Sequence, residues 1–134
     1  MAAAALPVAG LSASRLAAET RPETKVLDFT TSADMAKAEQ EGTLLFYTQD
    51  GQAGGAAVVD AFNKDFPKIK ASYVRLQNGA LYSKILAERS AGRFDVDVIQ
   101  FSEIGTAIDF QKRGGYAQYL SPQLDAYPTD QLSN

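Results

Sequence analysis

Two patterns of apolar residues alternate along this chain. Leu44-Leu45-Phe46-Tyr47 is an unbroken apolar run, the mark of a strand covered on both faces. Between such runs, apolar residues return every three or four positions, the mark of a helix with one buried face. The pattern predicts a helix over Met35–Glu41, capped from Ser32-Ala33-Asp34 and stopped by Gly42. A first strand follows at Thr43–Thr48. A helix over 54–66 comes next, with Val59, Phe62 and Phe66 on one face and Pro67 as its stop. The second strand spans 69–76, with Ile69, Ala71, Tyr73 and partly Val74 as its apolar members, and Gln77-Asn78-Gly79 reads as a loop. A helix over 80–91 turns Leu81, Ile85 and Leu86 inward and stops at Gly92. A third strand covers 97–101. The last helix, 103–113, carries Ile104, Ala107, Ile108 and Gln111 as one stripe and ends at Gly114-Gly115. Residues 116–134 show no period.

The order α-β-α-β-α-β-α implies an α/β fold: a three-layer parallel sheet with helices on both faces. Right-handed crossovers favour the strand order second, first, third. Ligands of such sheets bind beyond the carboxyl ends of the strands, where the order reverses. The candidate ligand-binding residues are therefore Thr48, Gln49, Asp50 and Gly51 after the first strand, Ser102 and Glu103 after the third, and Asn78 at the same edge. Each also has a plainer reading. The first loop can be an ordinary turn with Asp50 bonding locally. Ser102 can be a helix N-cap, and Glu103 can sit in a first helical turn, where the helix dipole favours it. Two helix N-termini attract an anion, whereas Asp50 with Glu103 suits a cation or amine. Asp95 and Asp97 read as solvated, Glu88-Arg89 as surface or inter-helix pairing, and Tyr116 with Tyr119 as packing.

Composition narrows the chemistry. The chain has 134 residues, 46% of them hydrophobic and 22% charged, enough for one domain with a core. Its net charge is -3 with no basic cluster, so no nucleic-acid partner is expected. No apolar run approaches the ~20 residues of a membrane span. There are no cysteines and no histidines. Disulfides, thiolate metal sites, Ser-His-Asp triads and HExxH zinc sites are thereby excluded. No catalytic residue, metal ligand or cofactor is assigned. Residues 1–31 form a separate unit. Residues 2–11 have the length of a signal-peptide apolar region, and Ser12-Ala13-Ser14 is of cleavage-site type, although nothing basic precedes Arg15. Residues 19–31, with Pro22, read as a linker or extended lead-in that makes few core contacts. The folded unit is 32–134.

A series of short motifs supports a resemblance. Glu41-Gly42-Thr43-Leu44-Leu45-Phe46-Tyr47-Thr48 precedes Ala61-Phe62 and Phe66-Pro67-Lys68-Ile69. Ile85-Leu86-Ala87-Glu88-Arg89, Ala91-Gly92-Arg93 and Asp97-Val98-Ile99 come next, and then Gly114-Gly115-Tyr116 with Tyr119-Leu120-Ser121-Pro122. The series, over residues 41–128, resembles the start of a bacterial extracellular solute-binding protein. It is most similar to the ferric-iron-binding branch of the type 2 periplasmic binding proteins of ABC importers. The resemblance implies two α/β lobes with a ligand between them, of which this chain would hold part of the first, as an N-terminal fragment. It implies a periplasmic location and no enzymatic activity. Its partners would be a small-molecule or metal-chelate ligand and, through the full-length protein, the transporter permease. The metal-binding tyrosines of iron-binding members lie in the second lobe, so Tyr116, Tyr119 and Tyr127 are not their counterparts. The loop residues Thr48-Gln49-Asp50 lack the His some of those members carry there.

Two other functions compete. One is an autonomous α/β domain of flavodoxin or receiver type, although Phe101-Ser102 replaces the Asp a receiver needs at the end of its third strand. The other is an enzyme using Asp50 and Glu103 as an acid/base pair, which requires both within reach of one substrate atom.

Overall fold

The apolar run of the first predicted strand forms the centre of the sheet. A computed structural model of the chain describes residues 23–119 and 121–126. The elements run β1 (Thr24–Val26), β2 (Phe29–Thr31), α1 (Met35–Glu41), β3 (Thr43–Thr48), α2 (Gln52–Asp65), β4 (Lys70–Arg75), α3 (Asn78–Ser90), β5 (Val98–Ile99) and α4 (Ile104–Lys112), then a short 3-10 turn at Pro122–Ala126. The main sheet has the order β4-β3-β5, and both pairings are parallel. This is an α/β architecture with the expected central strand. No helix among the described residues is long and apolar enough to cross a membrane.

The two faces of the sheet follow from register. Leu44 pairs with Ala71, and Phe46 with both Tyr73 and Val98, so these side chains share one face. Helix α2 covers that face through Val59 and Phe62. Tyr47 pairs with Val74 and Ile99 on the other face. There Tyr47 packs with Leu81 and Ile85 of α3 and Phe110 of α4 to form the buried core. Helices thus lie on both sides of the strands. The α2 face is closely fitted at Gly55, where an added Cβ would come within 2.8 Å of the Tyr73 ring.

Helix α1 matches its predicted bounds because its caps are local. Asp34 accepts a hydrogen bond from the Lys37 amide at 3.1 Å, and Gly42 takes the left-handed conformation at φ 70°. Helix α3, by contrast, starts two residues before the predicted start. Gln77 is its extended N-cap, and Asn78 and Gly79 form its first turn rather than a loop. An Asn-Gly pair signals a turn only when no helix claims it. Strand β5 is shorter than predicted. Asp97 is exposed, as expected of a solvated acid, and it also anchors the strand: its carboxylate accepts from the Leu45 amide at 2.7 Å and its own amide donates to the Leu45 carbonyl at 3.0 Å.

The stripe expected to bury α4 does not face inward. Ile104 is 80% exposed and Ile108 44%, whereas Phe110 is completely buried. The rings of Tyr82, Phe101 and Tyr116 meet Phe110 edge-on, with centroids 6.2, 5.8 and 4.9 Å away. One aromatic ring with three aromatic partners outweighs two aliphatic residues in setting the rotation of a short helix. The chain turns tightly behind that ring: a Cβ on Gly115 would stand 2.5 Å from it. Gly115→Ala is therefore expected to displace Phe110 and cost about 1–3 kcal/mol, measured by urea unfolding. An unchanged midpoint would show that the turn yields freely.

Within the expected lead-in, the structure places a hairpin. β1 and β2 pair antiparallel, and Leu27 at their turn has φ 54°. Val26 and Phe29 line a cavity of about 400 Å³ with Met35, Leu44, Phe62 and Ile69, and the Gln123 amide donates to the Thr30 carbonyl at 2.7 Å. Residues 23–31 therefore do make contacts with the folded unit. The hairpin escapes the sequence pattern because its turn, Leu27-Asp28, lacks the glycine or asparagine that marks such turns. The expected signal segment, 1–18, with its cleavage-type residues, and the first residues of the expected linker, 19–22, lie outside the described residues.

Candidate functional site

The parallel register brings the ends of β3, β4 and β5 to one edge, and the loops leaving them meet there. Thr48 ends β3 with no exposure. Its hydroxyl donates to Gln100 Oε1 at 2.6 Å and accepts from the Asp50 amide at 3.0 Å. Thr48, not the Asp50 side chain, thus makes the local turn bond. The Asp50 carbonyl accepts from Arg75 Nε at 3.2 Å, which ties the first loop to the end of β4.

Gln49 joins all three loops. The Ser102 hydroxyl donates to Gln49 Oε1. Gln49 Nε2 donates to Asn78 Oδ1 at 2.6 Å, and Asn78 Nδ2 donates to Thr106 Oγ1 at 3.0 Å. Four side chains from the β3–α2, β4–α3 and β5–α4 junctions form one relay. The structure thus gathers Thr48, Gln49, Asn78 and Ser102, as their positions at strand ends imply. Asp50, Gly51 and Glu103 stand exposed around them. Ser102 is not the N-cap of α4; Glu103 is, and the Ser102 hydroxyl is turned to Gln49 instead. Gln100, Thr106 and Arg75 belong to the site and were missed. Thr106, three residues past Glu103, is the one whose signal was present, since it lies in the first turn of a helix that starts at the site.

The helix starts share a second property. Gly51, Gln77 and Glu103 are the N-caps of α2, α3 and α4, and none caps its helix with a side-chain hydrogen bond. Helix α1 starts at the other end of the sheet and is capped by Asp34. Each uncapped helix has a glycine in its first turn, Gly54, Gly79 or Gly105. Around Gly79 and Gly105 a Cβ would meet nothing within 4 Å. First-turn amides carry partial positive charge and have no helical acceptor. Small residues leave them approachable, so the edge offers amide donors from three helices beside a relay of neutral polar side chains. Asp50 and Glu103 put negative charge at its rim, and Arg75 positive charge.

A cavity of about 450 Å³ lies at the opposite end of the strands, lined by Glu88, Arg89, Arg93, Phe94, Phe110 and Tyr116 among others. Its buried acid is already satisfied. Glu88 is 6% exposed, and its carboxylate accepts from the Tyr47 hydroxyl at 3.1 and 3.2 Å and from Lys84. Glu88 is thus a buried partner of the central strand rather than a surface residue. Burial by itself would raise its carboxyl pKa. The hydrogen bonds from Lys84 and Tyr47, with the charges of Lys84 and Arg93, outweigh burial and hold the group below the ordinary carboxylate range.

No protein-family model matches this chain, and no curated protein matches it either.

Proposed function

We propose that this chain is part of the solute-binding component of an ABC-type importer: a portion of the first lobe of a type 2 periplasmic binding protein that acts in the periplasm without catalysing a reaction. The observation that carries the reading is the Ser102–Gln49–Asn78–Thr106 relay, set among three helix N-termini that no N-cap side chain closes. A wall of amide donors and neutral side chains suits recognition, since such groups bind and orient a solute without transforming it. It suits a solute with a carboxylate or phosphonate facing the helices, with Asp50 and Glu103 at the rim to select any cationic part. A ferric chelate would enter as such an anion. A single face leaves a small ligand wet, so binding by this chain alone should be weak.

Amide chemical shifts of the labelled protein, followed during titration with phosphonoacetate, citrate, ferric citrate and spermidine, test the reading. Saturable shifts at residues 48–54, 78–80 and 102–106 are expected for the anions, in the millimolar range. Shifts centred elsewhere, or none with any of the four, would reject the site. Submicromolar affinity would reject the single-lobe reading and favour a self-contained α/β domain.

A further inference from the structure

Arg89 stands half-buried in the last turn of α3, with its guanidinium between two aromatic rings. The Phe94 ring lies 5.3 Å from it and the Phe110 ring 5.5 Å, the spacing of cation–π contacts. One of its N–H groups donates to the Gly114 carbonyl at 3.1 Å. The rest of the fork has no hydrogen-bond partner among the described residues, and no carboxylate among them lies within ion-pair reach of it. The helix dipole explains why a cation suits this last turn. It does not explain why a planar fork is held half out of water with most of its donors unused, a costly state for an ion.

Arg89 lines the cavity of about 450 Å³ at the amino ends of the strands, a volume within the range of small-molecule sites. Arg93 lines it too. Its guanidinium stands 3.6 Å from Glu88, but its side chain is 60% exposed, and Glu88 is already neutralised by Lys84 and bonded by Tyr47. Arg93 is therefore free to turn to another anion. Asp97, the other acid on the lining, accepts from the Leu45 amide. Asp95, between Phe94 and Val96, is not on the lining. Arg89, Arg93 and Lys84 thus face only Glu88 and Asp97, a local excess of positive charge in a chain whose net charge is -3. The rest of the wall is largely apolar: Val96, Ile99 and the rings of Phe94 and Tyr116, which are 67% and 45% exposed.

We propose that this cavity is a second ligand site, separate from the carboxyl edge of the sheet, and that it takes a small aromatic carboxylate. The acid group pairs with the free side of the Arg89 fork and with Arg93, a planar match of carboxylate to guanidinium. The ring packs against Phe94 and Tyr116. Each half of such a ligand answers a different part of the wall. An inorganic anion would meet the arginines and leave the rings wet. An uncharged ring would meet the rings and leave Arg89 unpaired. An amine would face a cation without an acid of its own, because Glu88 and Asp97 are already bonded.

Arginine Nε and main-chain amide shifts of the labelled protein, followed during titration with phenylacetate, benzylamine and acetate, read the outcome. Phenylacetate should give saturable shifts at residues 88–97 and 114–117, with a Kd of roughly 0.1–1 mM. Benzylamine, the same ring with the opposite charge, should give none there, and acetate should bind about tenfold more weakly than phenylacetate. Phe94→Ala, at an exposed position, should weaken phenylacetate roughly fivefold and leave acetate unchanged. Arg93→Gln, also exposed, should weaken both acids by about the same factor. Arg89→Gln should abolish the shifts. That side chain packs between two rings, so its melting curve is recorded as well, and the two exposed variants decide the matter if it does not fold. Absence of phenylacetate shifts at these residues would overturn the proposal, as would equal binding of benzylamine or an affinity that neither exposed variant changes. Residues 48–54, 78–80 and 102–106 report the carboxyl edge separately in the same spectra, so failure here leaves the reading of that edge intact.

Discussion

Phe110→Ala is expected to cost about 3–5 kcal/mol and to leave the protein largely unfolded at physiological temperature. Phe110 has no exposed surface, and it joins four elements: α4 itself, Tyr82 of α3, Phe101 after β5 and Tyr116 beyond the Gly114-Gly115 turn. The Arg89 guanidinium lies over the same ring at 5.5 Å. Removing the ring opens a cavity that the closely fitted Gly115 turn cannot fill by a small shift. Domains of this size have ~5–15 kcal/mol of net stability, so the loss is a large fraction of the whole. At ~4–8 °C per kcal/mol the melting point should fall by roughly 15 °C or more. Ile104→Ala, measured in dilute solution, is the comparison. It should shift the melt by no more than a surface change does, because Ile104 is 80% exposed. Equal losses for the two variants would mean that α4 is rotated to bury the aliphatic stripe instead.

Glu88→Ala should lower stability by about 2–3 kcal/mol at neutral pH, because it leaves the Tyr47 hydroxyl buried without its acceptor. The Lys84 ammonium loses less, since its side chain is 35% exposed and can turn to water. The pH dependence has a definite sign. The folded carboxyl is held below its ordinary value, so ionised Glu88 contributes stability at every pH above the unfolded value of about 4.3. That contribution falls away as the pH drops through the folded value. Lys84 is pushed above its ordinary value, first by its hydrogen bond to Glu88 and next by that to Tyr47, so the pair weakens from the other side only in strong alkali. Glu88→Gln keeps an acceptor for Tyr47 and loses only the charge. Its deficit against the native chain should be clear at pH 7 and much smaller near pH 3, read by urea unfolding at both values. Asp109 adds to the acid limb of both proteins, because the Tyr82 hydroxyl and Arg113 hold its carboxyl low as well. The difference between the two curves therefore isolates Glu88. A deficit independent of pH would show that charge at this position plays no part.

What was legible along the chain was what local physics decides. The bounds of α1 follow from Asp34 and Gly42, which act within one helical turn. β3 declares itself through an unbroken apolar run. The strand order β4-β3-β5 follows from alternation and the handedness of crossovers, which leave few arrangements open. The carboxyl edge of the sheet, and with it Thr48, Gln49, Asn78 and Ser102 as neighbours, follows from that topology.

What the tertiary structure alone decided was direction and pairing. The stripe of α4 offered Ile104 and Ile108 as readily as Phe110, and only the rings waiting on α3 and after β5 select the rotation. Glu88 reads as a surface acid until Tyr47, forty-one positions earlier, offers it a hydroxyl. The bond from the Leu45 amide to Asp97 is likewise invisible along the chain, as is the relay through Gln49, whose donors and acceptors come from three strand-to-helix junctions. Periodicity records which residues share a face of one element. It carries no information about which face of another element they meet, because that depends on contacts between residues far apart in the chain, and these form only as the layers close.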